Sequence, residues 1–381
     1  MQYPLFSQEP YRTFRKTVRD FVVEEIEPHV DQWERQEHFP NELLKLMAGK
    51  NLIGVSLPKD KGGQGLSFWH EVILAEELAK SKLVGWAMSY LAHTNMALPL
   101  LVKLASPKQQ ADILMPAVKG EFYLSLAATE FQNGSDLVST KTEAVLQGDK
   151  FLVSGEKKYI TNGSVAKYLI TLVRTKSDKN IWSLGLLLVP TDVDKIGITK
   201  LKTSGLKTSD TAEIKFLQCE IPKDYILGGS QRGFYYLLNG LMRERLMGAV
   251  ALNTLAEQVL EQTITYLKDK VRFSEPLSRK QVIRHRVAEL ASRLEAAKQF
   301  TYNVCAGFEK EEQVDQEIIM LKIYCYETSQ DIIKECVHLF GAEAFMQNHW
   351  LARIYKDSQA FTLAAGTSEV MRDLLAGMMR L

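Results

Sequence analysis

Cysteine is scarce in this chain: there are four in 381 residues (Cys219, Cys305, Cys325 and Cys336), with no CxxC pair among them. That spacing excludes a disulfide framework and fits reduced thiols in a reducing compartment. An excess of either charge is also missing. Lys and Arg number 47 against 46 Asp and Glu, a formal net charge of +1. The chain as a whole therefore does not attract polyanions, so neither nucleic acid nor an anionic membrane is an expected partner. No apolar run is long enough to span a bilayer, and the N-terminal stretch MQYPLFSQEPYRTFRKTVRDF lacks the apolar core of a signal peptide; a cytoplasmic protein is expected. The seven histidines show neither HxH nor HExxH spacing, so no metal site is expected, and there is no GxSxG nucleophile elbow. Gly62-Gly63-Gln64-Gly65 precedes a helical pattern but follows no strand, which argues for a surface loop rather than a dinucleotide cradle. Gly205-Leu206-Lys207-Thr208 has the look of a P-loop ending, but a Leu intervenes before the Lys and the upstream Gly is missing.

What is present is an ordinary globular balance, 46% apolar and 24% charged, in a chain long enough for two or three folding units. Three textures divide it, at 1–121, 122–230 and 231–381. The first is helical: Phe14, Val18, Phe21, Val22 and Ile26 recur at steps of three and four, as do Val72, Leu74, Ala75, Leu78 and Ala79. A further helical run covers Trp86 to Leu104, with an interruption near Pro99. In the second stretch the period falls to two, with Phe151 and Val153, then Ile214 and Phe216, alternating with their neighbours. Turns such as Gln147-Gly148-Asp149 punctuate it, so a domain of antiparallel strands is expected. The helical period then returns, with long helices expected from Phe234 to Lys268, Arg279 to Phe308 and Asp315 to Leu339, packed as a bundle.

Several blocks, in order, resemble the acyl-CoA dehydrogenase family. They include Val18-Arg19-Asp20-Phe21, Glu76-Glu77-Leu78-Ala79 and His93-Thr94 in the first stretch. The second carries Ala128-Thr129-Glu130-Phe131-Gln132-Asn133-Gly134-Ser135-Asp136, then Gly155-Glu156-Lys157-Lys158-Tyr159-Ile160-Thr161-Asn162. The last is Ala365-Gly366-Thr367-Ser368-Glu369-Val370. The resemblance implies an α+β, mainly α, fold: an N-terminal helical domain, a middle antiparallel β-barrel or sandwich, and a C-terminal four-helix bundle. It further implies FAD at a subunit interface of a homotetramer or homodimer, an acyl-CoA or carrier-protein acyl thioester as substrate, and an electron-transfer flavoprotein as electron acceptor. Leu126, Ala128, Thr129, Gly134 and Ser135 are then expected to line the FAD site, with Ser135 also near the thioester. Tyr159, Ile160 and Thr161 are expected to flank the isoalloxazine. Lys270, Arg272, Phe273 and Gln281, then His338 and Gly341, and finally Thr367 and Glu369 occupy the family's remaining cofactor positions.

Desaturating a thioester at Cα–Cβ needs a base for the α-proton and an acceptor for the β-hydride. Most family members place a Glu directly before the final Gly-Thr; here that residue is Ala365, which takes no proton. A second arrangement, that of isovaleryl-CoA dehydrogenase, puts the Glu before an Arg on a helix and ends in A-G-T-S-E-V. Met242-Arg243-Glu244-Arg245-Leu246 matches it. The residues support this separately: Leu237, Leu241, Glu244, Gly248 and Ala251 share one helix face, and Glu244 is its one carboxylate. Burial there would raise its pKa and make it a better base. The competing reading is a solvated Glu in exposed ion pairs with its Arg neighbours. The resemblance places Arg245, Leu241 and Gly366 near the substrate and gives the Ala365 backbone N–H to the thioester oxygen. Tyr235, Tyr236, Leu91 and Thr94 fit an acyl pocket or plain core equally.

Departures from the family pattern are Lys270 for an Arg, which loses the bidentate fork, and His338, Ala342 and Ala344 for a Gln and two Gly. Phe131 and Asn133 replace a Pro and an Ala. Two rival functions follow: an oxidase, or a catalytically silent paralogue that binds acyl thioesters.

Overall fold

The computed structural model describes residues 3–176 and 180–381. Its first unit contains α1 (Tyr11–Phe21), α2 (Val30–Gln36), α3 (Glu42–Gly49), α4 (Phe68–Lys80), α5 (Val84–Leu91), α6 (Leu98–Leu104), α7 (Pro107–Gln109) and α8 (Met115–Val118). The stripe on α1 faces inward as expected, with Val18 and Phe21 buried and Arg15 reaching Glu76 and Glu77 of α4 at 2.5 and 2.6 Å. The break expected at Pro99 falls earlier, in a π-helical turn over Ala92–Ala97, with Pro99 just inside α6. A proline ring crowds the carbonyl four residues before it, and a widened turn relieves that contact.

The glycine loop is a structural turn. Gly62 and Gly65 have φ of +84° and +62°, and a Cβ on Gly63 would lie 2.2 Å from the Leu57 carbonyl oxygen. The N–H groups of Gly63, Gln64 and Gly65 donate to Pro58, Gly54 and Leu57, so they are spent internally rather than offered to a phosphate.

The middle unit is an eight-stranded sheet of β1 (Tyr123–Ala127), β2 (Glu143–Gln147), β3 (Lys150–Ile160), β4 (Ala166–Arg174), β5 (Leu184–Pro190), β6 (Ile196–Lys200), β7 (Ala212–Pro222) and β8 (Ile226–Leu227). Its order is β6-β7-β3-β2-β4-β5-β8, with β1 on β4. Most pairs are antiparallel as expected, but β1 runs parallel to β4 along its length, and β2 meets β4 in parallel at a single bridge. No hairpin can make such a pair, and the intervening β2–β3 excursion supplies the long crossover it needs.

The third unit comprises α9 (Gly233–Asp269), α10 (Gln281–Glu309), α11 (Asp315–Phe340), α12 (Trp350–Gln359) and α13 (Ser368–Met378), with a hairpin of β9 (Val271–Arg272) and β10 (Glu275–Pro276). The three long helices begin and end within two residues of the sequence expectation. α9 packs on α10, α11 and also α4, which joins the two helical units. Gly205-Leu206-Lys207-Thr208 lies at the meeting point of all three units: the Leu206 N–H donates to Asp357 Oδ1 (2.6 Å) and Thr208 to Glu34 Oε1 (3.1 Å). All four cysteines are free and buried. Among the described residues, no helix is long and apolar enough to cross a membrane.

Candidate active site

The apolar face of α9 is buried along its length, at Leu237, Leu241, Glu244, Gly248 and Ala251. Glu244 is 5% exposed and Arg245 2%, which discards the reading of a solvated ion-paired Glu. Among the described residues Glu244 Oε2 has no hydrogen-bond partner. Burial pushes its pKa above the ordinary carboxylate value, while Lys322 and Arg245 pull it back in part. A buried carboxylate with a free oxygen and a raised pKa is equipped to take a proton.

Two side chains of α11 complete this surround. The Lys322 ammonium donates to the Ala364 carbonyl, and the Tyr326 hydroxyl donates to the Arg245 carbonyl at 2.9 Å. Burial brings Lys322 down to about 8. Arg245 turns its side chain to the same turn, with Nε donating to the Ala365 carbonyl at 3.1 Å. Gly248 leaves room for this packing: a Cβ there would sit 2.1 Å from the Tyr326 hydroxyl and 3.7 Å from Glu244 Oε1. Neither Lys322 nor Tyr326 emerged from the sequence reading. The available signal was a charged residue on the otherwise small or apolar stripe of Ile318, Lys322, Cys325 and Ser329, all buried.

Ala365 has φ of +53° and Gly366 of +99°, so the turn enters the left-handed region at both residues. Thr367 caps α13, accepting from the Val370 N–H at 3.4 Å. Glu369 is exposed in the first turn of that helix, its pKa lowered by its own backbone N–H and by Thr367. Arg243, next to the candidate base, points elsewhere: it bonds Glu71 of α4 and Ser56 Oγ (2.6 Å), with Asn95 Nδ2 also on Glu71 (3.0 Å). Leu91 and Thr94 line a small cavity beside that cluster; Tyr235 is exposed and Tyr236 half-buried.

A second group gathers on the middle domain. The Lys158 N–H donates to the Thr129 carbonyl (2.9 Å), and Ser125 Oγ donates to the Thr161 carbonyl. These bonds bring the Leu126–Thr129 segment beside the Tyr159–Thr161 segment. Gly134 lies nearby, its nearest neighbour Thr129 Cγ2 at 3.7 Å from an added Cβ. Leu126, Ala128, Thr129 and Thr161 are half-buried, Gly134 and Ser135 are exposed, and Ile160 is buried, so it can offer only its backbone. Glu130 and Lys157 of the two sequence blocks are structural. Lys157 Nζ bonds Glu130 Oε1 and the Ala128 carbonyl, both at 2.9 Å, and Glu130 accepts from the N–H groups of Lys141 and Thr142, both at 2.8 Å. Tyr159 and Phe131 stay 59% and 61% exposed, with the Lys158 ammonium 4.4 Å from the Phe131 ring centre. A flat apolar surface flanked by hydroxyls, open backbone and a cation fits a planar flavin with an anionic tail.

The third group stays apart from the other two. Lys270 pairs with Glu343 and lies against the Tyr266 ring, while Arg272, Gln281, His338 and Gly341 are exposed and Phe273 is 89% exposed. The departures noted at Lys270 and His338 therefore concern a surface group and not the buried base.

Helical domains on either side of a sheet with an open aromatic face, and a buried carboxylate on the long helix, define a flavoprotein oxidoreductase. Residues 8–121, 125–219 and 231–379 match the N-terminal, middle and C-terminal domains of acyl-CoA dehydrogenase. The chain belongs to the acyl-CoA dehydrogenase family, FAD-dependent oxidoreductases that act on CH–CH groups, and FAD is its cofactor. It is 30% identical over 370 residues to mitochondrial isovaleryl-CoA dehydrogenase of Pongo abelii, covering 96% of this chain and 87% of that protein. The crystal structure of acyl-CoA dehydrogenase from Geobacillus kaustophilus superposes with a TM-score of 0.94 at 30% identity, covering 98% and 99% of the two chains. The prolyl acyl carrier protein oxidase AnaB gives 0.93 at 26% identity, covering 98% and 100%.

Proposed function

We propose that the protein desaturates an acyl thioester between Cα and Cβ, with Glu244 as the base that removes the α-proton. The observation that carries this reading is the buried, unpaired Glu244 Oε2 on α9 beside Arg245. When bound, FAD supplies the acceptor for the β-hydrogen, which leaves as hydride to N5. Leu126, Ala128, Thr129, Gly134, Ser135, Tyr159, Ile160 and Thr161 would hold the flavin on the middle domain. As the α-proton moves to Glu244, negative charge grows on the thioester oxygen, and the Ala365 N–H is the donor assigned to it. A backbone donor is unaffected by the side chain at 365, so Ala there is compatible with activity. Arg245, Leu241 and Gly366 would border the substrate, and burial of the site keeps competing water from the base.

The exposed apolar residues Phe273, Phe345 and Val282 support assembly into a homotetramer or homodimer, in which Lys270, Arg272, Gln281, His338 and Gly341 meet a partner subunit's FAD. A cytoplasmic protein that passes its electrons to an electron-transfer flavoprotein completes the proposal. Likeness to a carrier-protein oxidase favours one second reading, in which oxygen is the acceptor and the pantetheine arm belongs to a carrier protein.

The test is anaerobic mixing of the yellow holoprotein with a panel of CoA-linked and carrier-linked acyl thioesters. Flavin bleaching by at least one is expected, and bleaching by none defeats the assignment. Oxygen consumption without an electron-transfer flavoprotein would select the oxidase.

A further inference from the structure

Two buried cations hold two successive carbonyls of a single turn. Lys322, 1% exposed on α11, donates to the Ala364 carbonyl, and Arg245 on α9 donates through Nε to the Ala365 carbonyl at 3.1 Å. A buried cation is poorly compensated by one neutral carbonyl and needs an opposite charge nearby. Glu244 is that charge for both. The titratable and charged groups that face one another here are Glu244 and Arg245 from α9 and Lys322 and Tyr326 from α11, the ammonium lying 4.9 Å from the Tyr326 ring centre. With Glu244 ionised, two positive charges face one negative, and the surplus favours any further negative charge that develops beside them.

The carbonyl bonds also fix the donors of the turn. A trans peptide is planar, with its C=O and N–H on opposite sides. Directing the Ala364 carbonyl to Lys322 therefore points the Ala365 N–H away from Lys322, and directing the Ala365 carbonyl to Arg245 orients the Gly366 N–H in the same manner. The left-handed φ of +53° at Ala365, a residue with a Cβ, needs such support from outside the turn.

We infer that Lys322 is a positioning residue of the proposed desaturation, holding the Ala364–Ala365 peptide so that its N–H meets the developing oxyanion while its charge faces Glu244. The inference rests on Glu244 being the base. It makes the base and the oxyanion donor parts of a single unit built from buried side chains of α9 and α11 and the turn at 364–366.

The test uses FAD-loaded wild type, Lys322→Met, Lys322→Arg and Glu244→Gln, each checked for flavin content. The first readout is binding of a 3-oxoacyl thioester, whose enolate resembles the intermediate and reports by a long-wavelength absorbance band without turnover. Lys322→Met is expected to weaken that binding roughly tenfold or more, and Lys322→Arg, which keeps charge and donor, by less than about threefold. The second readout is the pH profile of kcat/KM. Loss of a cation that favours ionised Glu244 raises its pKa, so the acid limb moves to higher pH in Lys322→Met and stays in place in Lys322→Arg. Unchanged enolate binding together with an unmoved limb overturns the inference, whatever the overall rate. Should Lys322→Met not fold, Lys322→Gln, a neutral donor, is read by the same limb shift. Glu244→Gln separates the two failures. If it reduces flavin at the parental rate, the base assignment falls and this inference with it; if it is slow while the Lys322 variants move neither readout, only the inference falls.

Discussion

The proposed base-bearing surface of α9 and the proposed flavin face of the middle domain are built on opposite terms. Around Glu244 the side chains of Arg245, Lys322 and Tyr326 are buried and tie α9 and α11 to one another and to the turn at Ala364–Gly366, which reaches the surface at Ala364. On the flavin face Tyr159, Phe131, Gly134 and Ser135 lie open, and what is buried there, the Lys157–Glu130 pair, sits beneath the face to shape it. On the proposed reading the proton chemistry would be set up among buried side chains, whereas the cofactor surface is an open platform that its ligand would cover. Damage to the first should change rate with flavin retained; damage to the second should change flavin retention.

The largest test of that contrast is Glu244→Gln. It is expected to slow anaerobic flavin reduction by roughly 10³-fold while FAD content stays at the parental level, measured by stopped-flow and absorbance. A comparable penalty, paid in stability and flavin affinity, is expected for Lys157→Met, which strands buried Glu130. Denaturant titration should show a loss of about 3–5 kcal/mol, with weaker FAD binding. In the parent, burial opposes ionisation of Glu130, but Lys157 and the Lys141 and Thr142 N–H groups outweigh it and hold the carboxyl at about 2. Its contribution is therefore complete above the ordinary carboxylate value and is lost as pH falls toward about 2.

Gly248→Ala tests the packing of the base site. The added methyl would meet the Tyr326 hydroxyl, and a loss of roughly 1–3 kcal/mol is expected by thermal unfolding. Removing that hydroxyl with Tyr326→Phe in the same chain should recover part of it; no recovery would place the clash elsewhere. The smallest effect belongs to the joint between units. Burial, and then Glu34, push Asp357 up to about 7. Its charged form is the one disfavoured by folding, so the associated stability is full below the ordinary Asp value and lost as pH rises through about 7. Asp357→Asn keeps a carbonyl for the Leu206 N–H and does not titrate. Its Tm should vary by about 3 °C less than the parent's between about pH 5 and pH 8.

How much of this could be read in advance depended on whether the signal was local. The α9 stripe of Leu237, Leu241, Glu244, Gly248 and Ala251 is a property of one helix, and it offered a buried Glu244, against the competing solvated reading, before any packing was known. The long helices were legible for the same reason. Lys322 and Tyr326 were not, because their meaning comes from α9, which lies across the bundle. The parallel β1–β4 pair was hidden likewise: alternation tells which face is buried but carries no strand direction. Motif blocks mixed two kinds of residue. Glu130, Lys157 and Asn162 stand inside them beside the expected flavin contacts, yet their bonds serve the scaffold, with Asn162 donating to the Ser89 carbonyl at 2.8 Å.

The buried cysteines make the protein its own stopwatch. Cys219 belongs to the sheet, while Cys305, Cys325 and Cys336 sit in the bundle, where burial lifts the latter two thiols to about 11. A thiol that is neither accessible nor ionised is silent to alkylating reagents until its surroundings part. Mass-resolved labelling over time would therefore time the loosening of the sheet and of the bundle separately, in the unaltered protein and with no probe attached beforehand.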